Sequence, residues 1–175
     1  QGLTDYFTVR EKFGHTKGLT LAYVGDGNNM CHSLMFGGPK VGMNVKVATP
    51  EGFRPNPEIV EKAKADAKAA GTTIEVFARP EEAIRGANAV YTDVWASMGQ
   101  EAEAQARVEA FAGFQVTPAL MELADKEAVF MHCLPAHRGE EVAAEVADGR
   151  WSVIFDEAEN RLHVQKAIML LLMNR

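Results

Sequence analysis

Short apolar segments rich in β-branched residues alternate along the chain with longer segments of helical periodicity. This alternation is typical of a parallel β-sheet whose strands are joined by helices, because such strands are buried on both faces. The apolar segments are Thr20–Val24, Asn44–Ala48, Thr73–Phe77, Ala89–Thr92 and Ala128–His132, with a shorter candidate at Ser152–Phe155. The pattern therefore predicts six parallel strands in an α/β domain.

Helical segments separate these strands. They are Asn28–Val41, Pro57–Ala70, Glu81–Arg85, Glu101–Phe111, Glu140–Val146 and Glu159–Met173. A further helix is predicted at Leu3–Phe13, where Leu3, Tyr6, Phe7, Arg10 and Phe13 recur every three or four residues. Gly71 is expected to end one helix, and Thr117 before Pro118 to begin another. We predict a doubly wound, Rossmann-like, three-layer αβα domain with helices on both faces of the sheet.

Composition excludes several classes of protein. The 175 residues make one domain, residues 1–175, and residues 1–14 are expected to form a helix that enters it. There are 24 acidic and 18 basic residues and no basic cluster, which argues against nucleic acid as a partner. No apolar stretch approaches the 18 residues that a membrane-spanning helix needs, so no membrane partner is expected. The two cysteines, Cys31 and Cys133, favour a reducing compartment, and we predict a cytoplasmic location.

Unusual polar sequences follow three of the predicted strands, at the edge of a parallel sheet where ligands bind. The first is Gly25–Met30, in which glycines allow a tight turn and a helix begins near Asn28. Such a helix start attracts anions. A turn with an Asn cap explains the same residues. A dinucleotide fingerprint is weaker, because Met30 stands at the third glycine position and Thr49-Pro50 at the place of the ribose-binding acid.

The second polar sequence is Asp93–Glu101, directly after Ala89–Thr92. A buried carboxylate needs a cation or several donors, so Asp93 can hold a cationic amine while the loop with Ser97, Met98 and Gly99 folds over it. The alternative is that Asp93 and Ser97 only cap the next helix.

The third polar sequence is Met131–Gly139, which contains His132, Cys133 and His137. Zinc is disfavoured because no Cys-x-x-Cys pair is present. A thiol at a strand end can contact or deprotonate an amine, whereas a buried, inert cysteine is the alternative. Neither a Gly-x-Ser-x-Gly elbow nor a Gly-x-x-x-x-Gly-Lys phosphate loop occurs. The three sequences together indicate a small polar substrate.

These motifs resemble the carboxyl-terminal, ornithine-binding half of the ornithine carbamoyltransferases. The resemblance rests on Gly25–Asn29, on Asp93-x-x-x-Ser-Met-Gly-Gln-Glu, on His132–Pro135 and on Glu157-Ala-Glu-Asn-Arg161, which occur in the family's order and spacing. Gln1 corresponds to the last residue of the family's His-Pro-x-Gln motif. Residues upstream of Gln1 are therefore expected to be missing.

The resemblance implies transfer of a carbamoyl group from carbamoyl phosphate to the side-chain amine of L-ornithine, giving L-citrulline and phosphate. It places Asn29, Asp93, Ser97 and Met98 on ornithine, with Asn28 as a supporting contact. It places Gln1, Cys133, Leu134 and Arg161 on carbamoyl phosphate. Cys133, Asp93 and Arg161 are the implied catalytic residues, with Cys133 a candidate for handling the amine's proton. No cofactor and no metal are implied.

The family's phosphate-binding Ser-Thr-Arg-Thr-Arg motif is absent from the chain. The resemblance implies that it belongs to an amino-terminal carbamoyl-phosphate domain, that the complete enzyme is a homotrimer, and that this chain alone is nearly inactive. Three alternatives stay open. They are a sister carbamoyltransferase for another amine such as putrescine or acetylated ornithine, a non-catalytic binding module of the same fold, and an NAD-binding redox domain.

Overall fold

A computed structural model describes residues 1–96 and 104–174 and has a parallel sheet at its centre. The strands of the described residues are β1 (Thr20–Val24), β2 (Asn44–Ala48), β3 (Ile74–Phe77), β4 (Ala89–Thr92) and β5 (Val129–His132). They lie in the order β3-β2-β1-β4-β5, and every pair is parallel. The doubly wound α/β prediction is therefore confirmed.

Helices cover both faces of the sheet. Their bounds are α1 (Gly2–Phe13), α2 (Asn29–Val41), α3 (Pro57–Ala70), α4 (Pro80–Ile84), α5 (Ala104–Ala110), α6 (Pro118–Met121), α7 (Ala144–Ala147) and α8 (Ile154–Met173). Alternate strand residues point to opposite faces, so Leu21 and Tyr23 join one apolar core while Ala22 and Val24 join the other. The first core packs against α1, α2 and α3, and the second against α4, α6 and α7. No described helix is long and apolar enough to span a membrane.

The predicted sixth strand, Ser152–Phe155, is wrong. Ser152 makes a single isolated bridge to Phe130, and the chain then enters α8 at Ile154. Asp156 and Glu157 lie in the first turn of α8, where acidic groups stabilise the positive end of the helix dipole. Apolar, β-branched residues at a helix start were thus mistaken for a strand, and α8 begins five residues before the predicted Glu159.

Two other predicted helices are shorter than expected. Of the segment Glu140–Val146, only its end is helical, as part of α7, because Glu141 is buried as an acceptor for the backbone of His137. The start of the segment Glu101–Phe111 lies outside the described residues, and α5 covers Ala104–Ala110.

The buried face of α1 differs from the predicted apolar stripe. Leu3 and Phe7 are exposed, whereas Thr4, Asp5 and Thr8 are buried. This polar face packs against α8, where Asn160 donates hydrogen bonds to Thr8 Oγ1 and to Glu11 Oε2. Hydrogen bonding to α8 therefore adds to the apolar burial of Tyr6 and Val9 in joining α1 to the domain.

Gly27 allows the loop after β1 to lie against residues 53–55. A Cβ atom at Gly27 would stand 2.2 Å from the backbone nitrogen of Pro55, and the Gly27 amide donates to Phe53 O at 2.8 Å. Only a residue without a side chain permits this approach.

We predict that Gly27→Ala lowers the free energy of unfolding by about 1–3 kcal/mol, since the new methyl group overpacks a backbone contact. Urea denaturation followed by circular dichroism measures the change. Gly2→Ala is the matched control, because its Cβ would meet only ordinary contact with Ser33 and alanine favours the helix. Equal stability of Gly27→Ala and the unmodified chain would contradict the packing argument.

Candidate active site at the carboxyl ends of the strands

The central strands end at the same level of the sheet. Val24 is aligned with Thr92, and Thr92 with His132, so the residues that follow β1, β4 and β5 emerge side by side. The strand order reverses between β1 and β4, and this switch point opens a crevice in doubly wound sheets. The predicted polar sequences therefore meet at one place.

Asp93 lies at the centre of this crevice and is only 8% exposed. Its Oδ2 accepts a hydrogen bond from Asn28 Nδ2 at 3.0 Å. Its Oδ1 accepts from the backbone of Val94 at 2.9 Å and from the Cys133 thiol at 3.1 Å. One carboxylate thus joins the ends of all three strands, and an incoming ammonium group would find it already oriented.

Asn28 connects this carboxylate to the start of α2. Its Oδ1 caps the helix by accepting from the amides of Met30 and Cys31, while its Nδ2 donates to Asp93. The prediction that an Asn caps this helix is confirmed, and it coexists with the contact to Asp93. Asn29 is the first residue of α2 and is exposed. A ligand carboxylate can therefore reach both its amide and the positive end of the helix.

Cys133 is half-buried and donates its proton to Asp93. Burial raises the pKa of the Cys133 thiol well above its usual value, and the charge of Asp93 raises it further. The Cys133 thiol is therefore neutral at ordinary pH. A cation bound against Asp93 would offset one cause of this shift, because an opposite charge favours the thiolate.

The loop after β5 is held by buried polar groups. Leu134 has a left-handed backbone with φ of 58°, and its amide donates to His132 Nδ1 at 2.8 Å. The other ring nitrogen of His132 lies 3.3 Å from Glu141 Oε1, which also accepts from the His137 amide. Both His132 and Glu141 are buried. They fix the conformation that presents Cys133 and Leu134 to the crevice.

Gln1 is connected to the same edge of the sheet through Glu157 on α8. Gln1 Nε2 donates to Glu157 Oε1 at 3.0 Å and to Asp5 Oδ1 at 2.7 Å. Glu157 also accepts from the Tyr91 hydroxyl at 3.2 Å and from the His132 amide at 3.0 Å. Burial, followed by the charge of Asp5, raises the pKa of Glu157 well above its usual range.

Arg107 supports the crevice from α5. Its Nη1 lies 2.6 Å from Asp26 Oδ2 and 2.8 Å from Trp95 O, and its guanidinium group lies 5.0 Å from the centre of the Phe53 ring. This buried ion pair connects the loop after β1 to the segment after β4.

Of the predicted site residues that the structure describes, Asn29 and Arg161 make no side-chain hydrogen bond to this network. Ser97 and Met98 lie outside the described residues. Arg161 is exposed on α8 and has no hydrogen bond or ion pair within the described part of the chain. Asn28, Asp93 and Cys133 come together directly, Gln1 joins them through Glu157 and the backbone of His132, and Leu134 follows Cys133.

Sequence reasoning missed the buried acids around this site. Asp5, Glu141 and Glu157 belong to helices or motifs that were noted, but none was assigned a role. The signal for Asp5 is its position one helical turn after Gln1, on the face of α1 that is polar and yet buried.

Within the described residues, one group of side chains could approach a metal ion. His137, Glu140 and Glu141 have potential ligand atoms within 4.8 Å of one another. His137 and Glu140 are exposed, and Glu141 is already a hydrogen-bond acceptor for the His137 amide. The hydrogen bond within this loop therefore accounts for the closeness of the three side chains without a metal ion.

Fold and site define a doubly wound α/β domain with a candidate site for a small charged molecule at the switch point of its sheet. Residues 17–172 match the family model for the Asp/Orn binding domain of aspartate/ornithine carbamoyltransferase. The chain belongs to this carbamoyltransferase family.

Known proteins agree with this assignment. The chain is 62% identical over 173 residues to an ornithine carbamoyltransferase of Symbiobacterium thermophilum, covering 99% of the chain and 56% of that protein. It is 54% identical to one of Thermococcus kodakarensis, covering 99% of the chain and 55% of the relative. A solved ornithine carbamoyltransferase from Pyrococcus furiosus has a TM-score of 0.91 at 51% identity, over 96% of this chain and 54% of the other. The chain thus spans about 55% of the length of the curated relatives it matches.

We predict that Asp93→Asn accelerates alkylation of Cys133 at pH 8, about tenfold for each unit by which the pKa of the thiol falls. The substitution removes a negative charge that raises this pKa. Iodoacetamide labelling followed by mass spectrometry of the two cysteine peptides measures the rate. Cys31 is an internal control because it is buried. An unchanged rate at Cys133 would show that Asp93 does not control the thiol.

Proposed function

We propose that this chain is the ornithine-binding half of an ornithine carbamoyltransferase. The observation that carries the proposal is the hydrogen-bonded group of Asn28, Asp93 and Cys133 at the switch point of the sheet. The relatives that match almost the whole chain at 54% and 62% identity bear this activity in their names. The complete reaction and its substrates belong to the proposal, since the chain spans about half of those relatives.

In the proposed complex, L-ornithine lies across the ends of β1 and β4. Its α-carboxylate meets Asn29 and the start of α2, where unpaired backbone N–H groups attract an anion. Its side-chain ammonium meets Asp93, supported by Ser97, while Met98 covers the methylene groups. Asn28 keeps Asp93 oriented. A carboxylate at this position favours a cationic side chain and disfavours a second carboxylate.

Carbamoyl transfer requires a neutral amine. The ammonium group first loses one proton to solvent, and the neutral amine attacks the carbonyl carbon. The N–C bond forms while the C–O bond to phosphate breaks, and the second proton of the nitrogen passes to the departing phosphate. Asp93 and Cys133 are the groups proposed to lie next to this nitrogen, and Cys133 holds its own proton because burial and Asp93 raise its pKa. An ammonium group bound next to Asp93 offsets the charge of this carboxylate, so the pKa of the Cys133 thiol falls as the substrate binds.

Carbamoyl phosphate is proposed to bind between the loop after β5 and the two long helices, α1 and α8. Cys133 and Leu134 meet the carbamoyl group, Gln1 meets its polar end, and Arg161 donates to the carbonyl oxygen as negative charge develops there. The exposed position of Arg161 leaves its guanidinium group free to turn toward a bound anion.

An amino-terminal carbamoyl-phosphate domain is the proposed partner. A groove of about 950 Å³ lies between α1, α2 and α8 and includes Leu3, Phe7, Phe36 and Ile168. Leu3 is 67% exposed, and Leu171 near the end of α8 is 73% exposed. Exposed apolar groups in such number mark a surface that another unit covers. The proposal includes a homotrimer for the complete enzyme and a cytoplasmic location, which the free thiols of Cys31 and Cys133 support.

The first test is citrulline formation from ornithine and carbamoyl phosphate. We expect the chain alone to be nearly inactive, and a mixture with the separately produced amino-terminal half, here called the reconstituted enzyme, to be active. The physical reason is that the dianionic phosphate lacks charge-assisted contacts in this chain. Putrescine and N-acetylornithine are run as alternative amines. Activity with one of them alone would establish a sister enzyme, and no activity with any amine would favour a binding module.

A second prediction concerns Asp93 in the reconstituted enzyme. Asp93→Asn should lower kcat/KM for ornithine by about 10–100-fold, because a hydrogen bond to a charged group contributes about 1.5–3 kcal/mol. The Michaelis constant for carbamoyl phosphate should change little. Asp66→Asn, at an exposed position of α3, is the matched control. Retention of normal ornithine kinetics by Asp93→Asn would contradict the assigned role.

A further inference from the structure

Two buried carboxyl groups face each other where α1 meets α8. Asp5 and Glu157 are both fully buried and lie within hydrogen-bonding reach of each other. A single donor, Gln1 Nε2, contacts Asp5 Oδ1 and Glu157 Oε1 at 2.7 and 3.0 Å. Asp5 Oδ2 is buried and has no donor among the described residues. A proton between the two carboxyl groups would supply the hydrogen bond that this oxygen lacks.

Too little positive charge surrounds Asp5 and Glu157 to neutralise both of them as carboxylates. In the described part of the chain, no Lys, Arg or His side chain forms an ion pair with Asp5 or Glu157. The Tyr91 hydroxyl faces the pair from β4, and the His132 amide faces it from the end of β5. The Cys133 thiol, directly after β5, also lies near Glu157. Burial raises the pKa of Asp5 to about 6 and raises that of Glu157 well above its usual value.

Glu157 also touches every element that carries a proposed carbamoyl-phosphate contact. It binds Gln1 at the start of α1 and the amide of His132, which directly precedes Cys133 and Leu134. Arg161 lies one turn further along α8, on the same face of the helix. A shift of Glu157 would therefore displace all of these contacts together.

We propose that Asp5 and Glu157 share one proton and that this pair positions Gln1, the Cys133–Leu134 loop and Arg161 for carbamoyl phosphate. The positioning role rests on the proposed function, whereas the shared proton concerns the chain itself. Asp5 and Glu157 are positioning residues, since neither is proposed to touch the substrate. Loss of the proton would place two like charges next to each other in a buried site, and α1 and α8 would separate.

The shared proton has a defined effect on stability. A carboxyl group whose pKa is higher in the folded state binds its proton more tightly there, so folding is favoured at low pH. In the unfolded chain both carboxyl groups have a pKa of about 4. The free energy of unfolding should therefore fall as the pH rises from about 4, through the folded-state pKa of Asp5 at about 6, toward the higher pKa of Glu157. Above that range this contribution is absent.

The first experiment measures the unfolding of the chain in urea between pH 4 and pH 9. In the unmodified chain, we expect the slope above pH 6, where the pair keeps a single proton, to correspond to the release of about one proton. Asp5→Asn and Glu157→Gln should both remove this slope, because an amide supplies the hydrogen bond permanently and does not titrate. Asp156→Asn, an exposed neighbour of Glu157, is the control that keeps the slope. An unchanged slope in both amide variants would overturn the shared proton.

The second experiment measures the Michaelis constants of the reconstituted enzyme across the same pH range. We expect the constant for carbamoyl phosphate to rise at alkaline pH in the unmodified enzyme and to stay level in Glu157→Gln. Glu157→Leu, which cannot hold Gln1 or His132, should raise it about tenfold with little change in the constant for ornithine. An equal rise for both substrates, or an effect on stability alone, would overturn the positioning role.

The two experiments separate the inference from the proposed function. If the unmodified reconstituted enzyme produced no citrulline, the proposed function and the positioning role would fail together. The pH dependence of unfolding would still decide whether Asp5 and Glu157 share a proton, since that measurement requires no substrate.

Discussion

The parallel register of β1, β4 and β5 is the constraint on which the site depends. Because Val24, Thr92 and His132 are aligned, the chain leaves three neighbouring strands at one level, and Asn28, Asp93 and Cys133 come within hydrogen-bonding distance. A shift of one residue in either strand pair would turn these side chains to the opposite face. The Thr92 hydroxyl reinforces the register by donating to Val24 O at 2.6 Å. Site geometry in this domain is therefore a consequence of strand pairing, and the loops only add to it.

Much of this arrangement could be predicted from the sequence. Apolar strands and helix caps are local signals. They predict the doubly wound α/β fold, the cap at Asn28 and the end of α3 at Gly71, which has φ of 72°. The predicted strand at Ser152–Phe155 failed because the same β-branched residues suit a helix start that is fixed by tertiary packing. The periodicity of α1 predicts the wrong buried face, since it counts apolar residues and cannot detect that Asp5 and Thr8 have buried partners on α8.

The buried acids show why such partners escape sequence reasoning. Asp5 and Glu157 are 152 residues apart, and nothing local indicates that they meet. Each would be costly to bury alone, yet Gln1, Tyr91 and the His132 amide provide donors that only the folded chain assembles. The resemblance to known carbamoyltransferases predicts Gln1 and Arg161 as ligand contacts, whereas only the folded structure shows that Glu157 connects α1 to β5.

In the proposed complex, the two acidic centres serve different substrates and act by different means. Asp93 is joined to groups that orient it toward a cation, and it keeps Cys133 protonated until that cation arrives. Glu157 and Asp5 lie behind the site and hold the elements that would receive the anionic substrate. An exposed carboxylate near carbamoyl phosphate would repel it, so acids can support that half of the site only if they are buried and at least partly protonated. Under the proposed function, burial of the second pair therefore serves the binding of the anionic substrate as well as the fold.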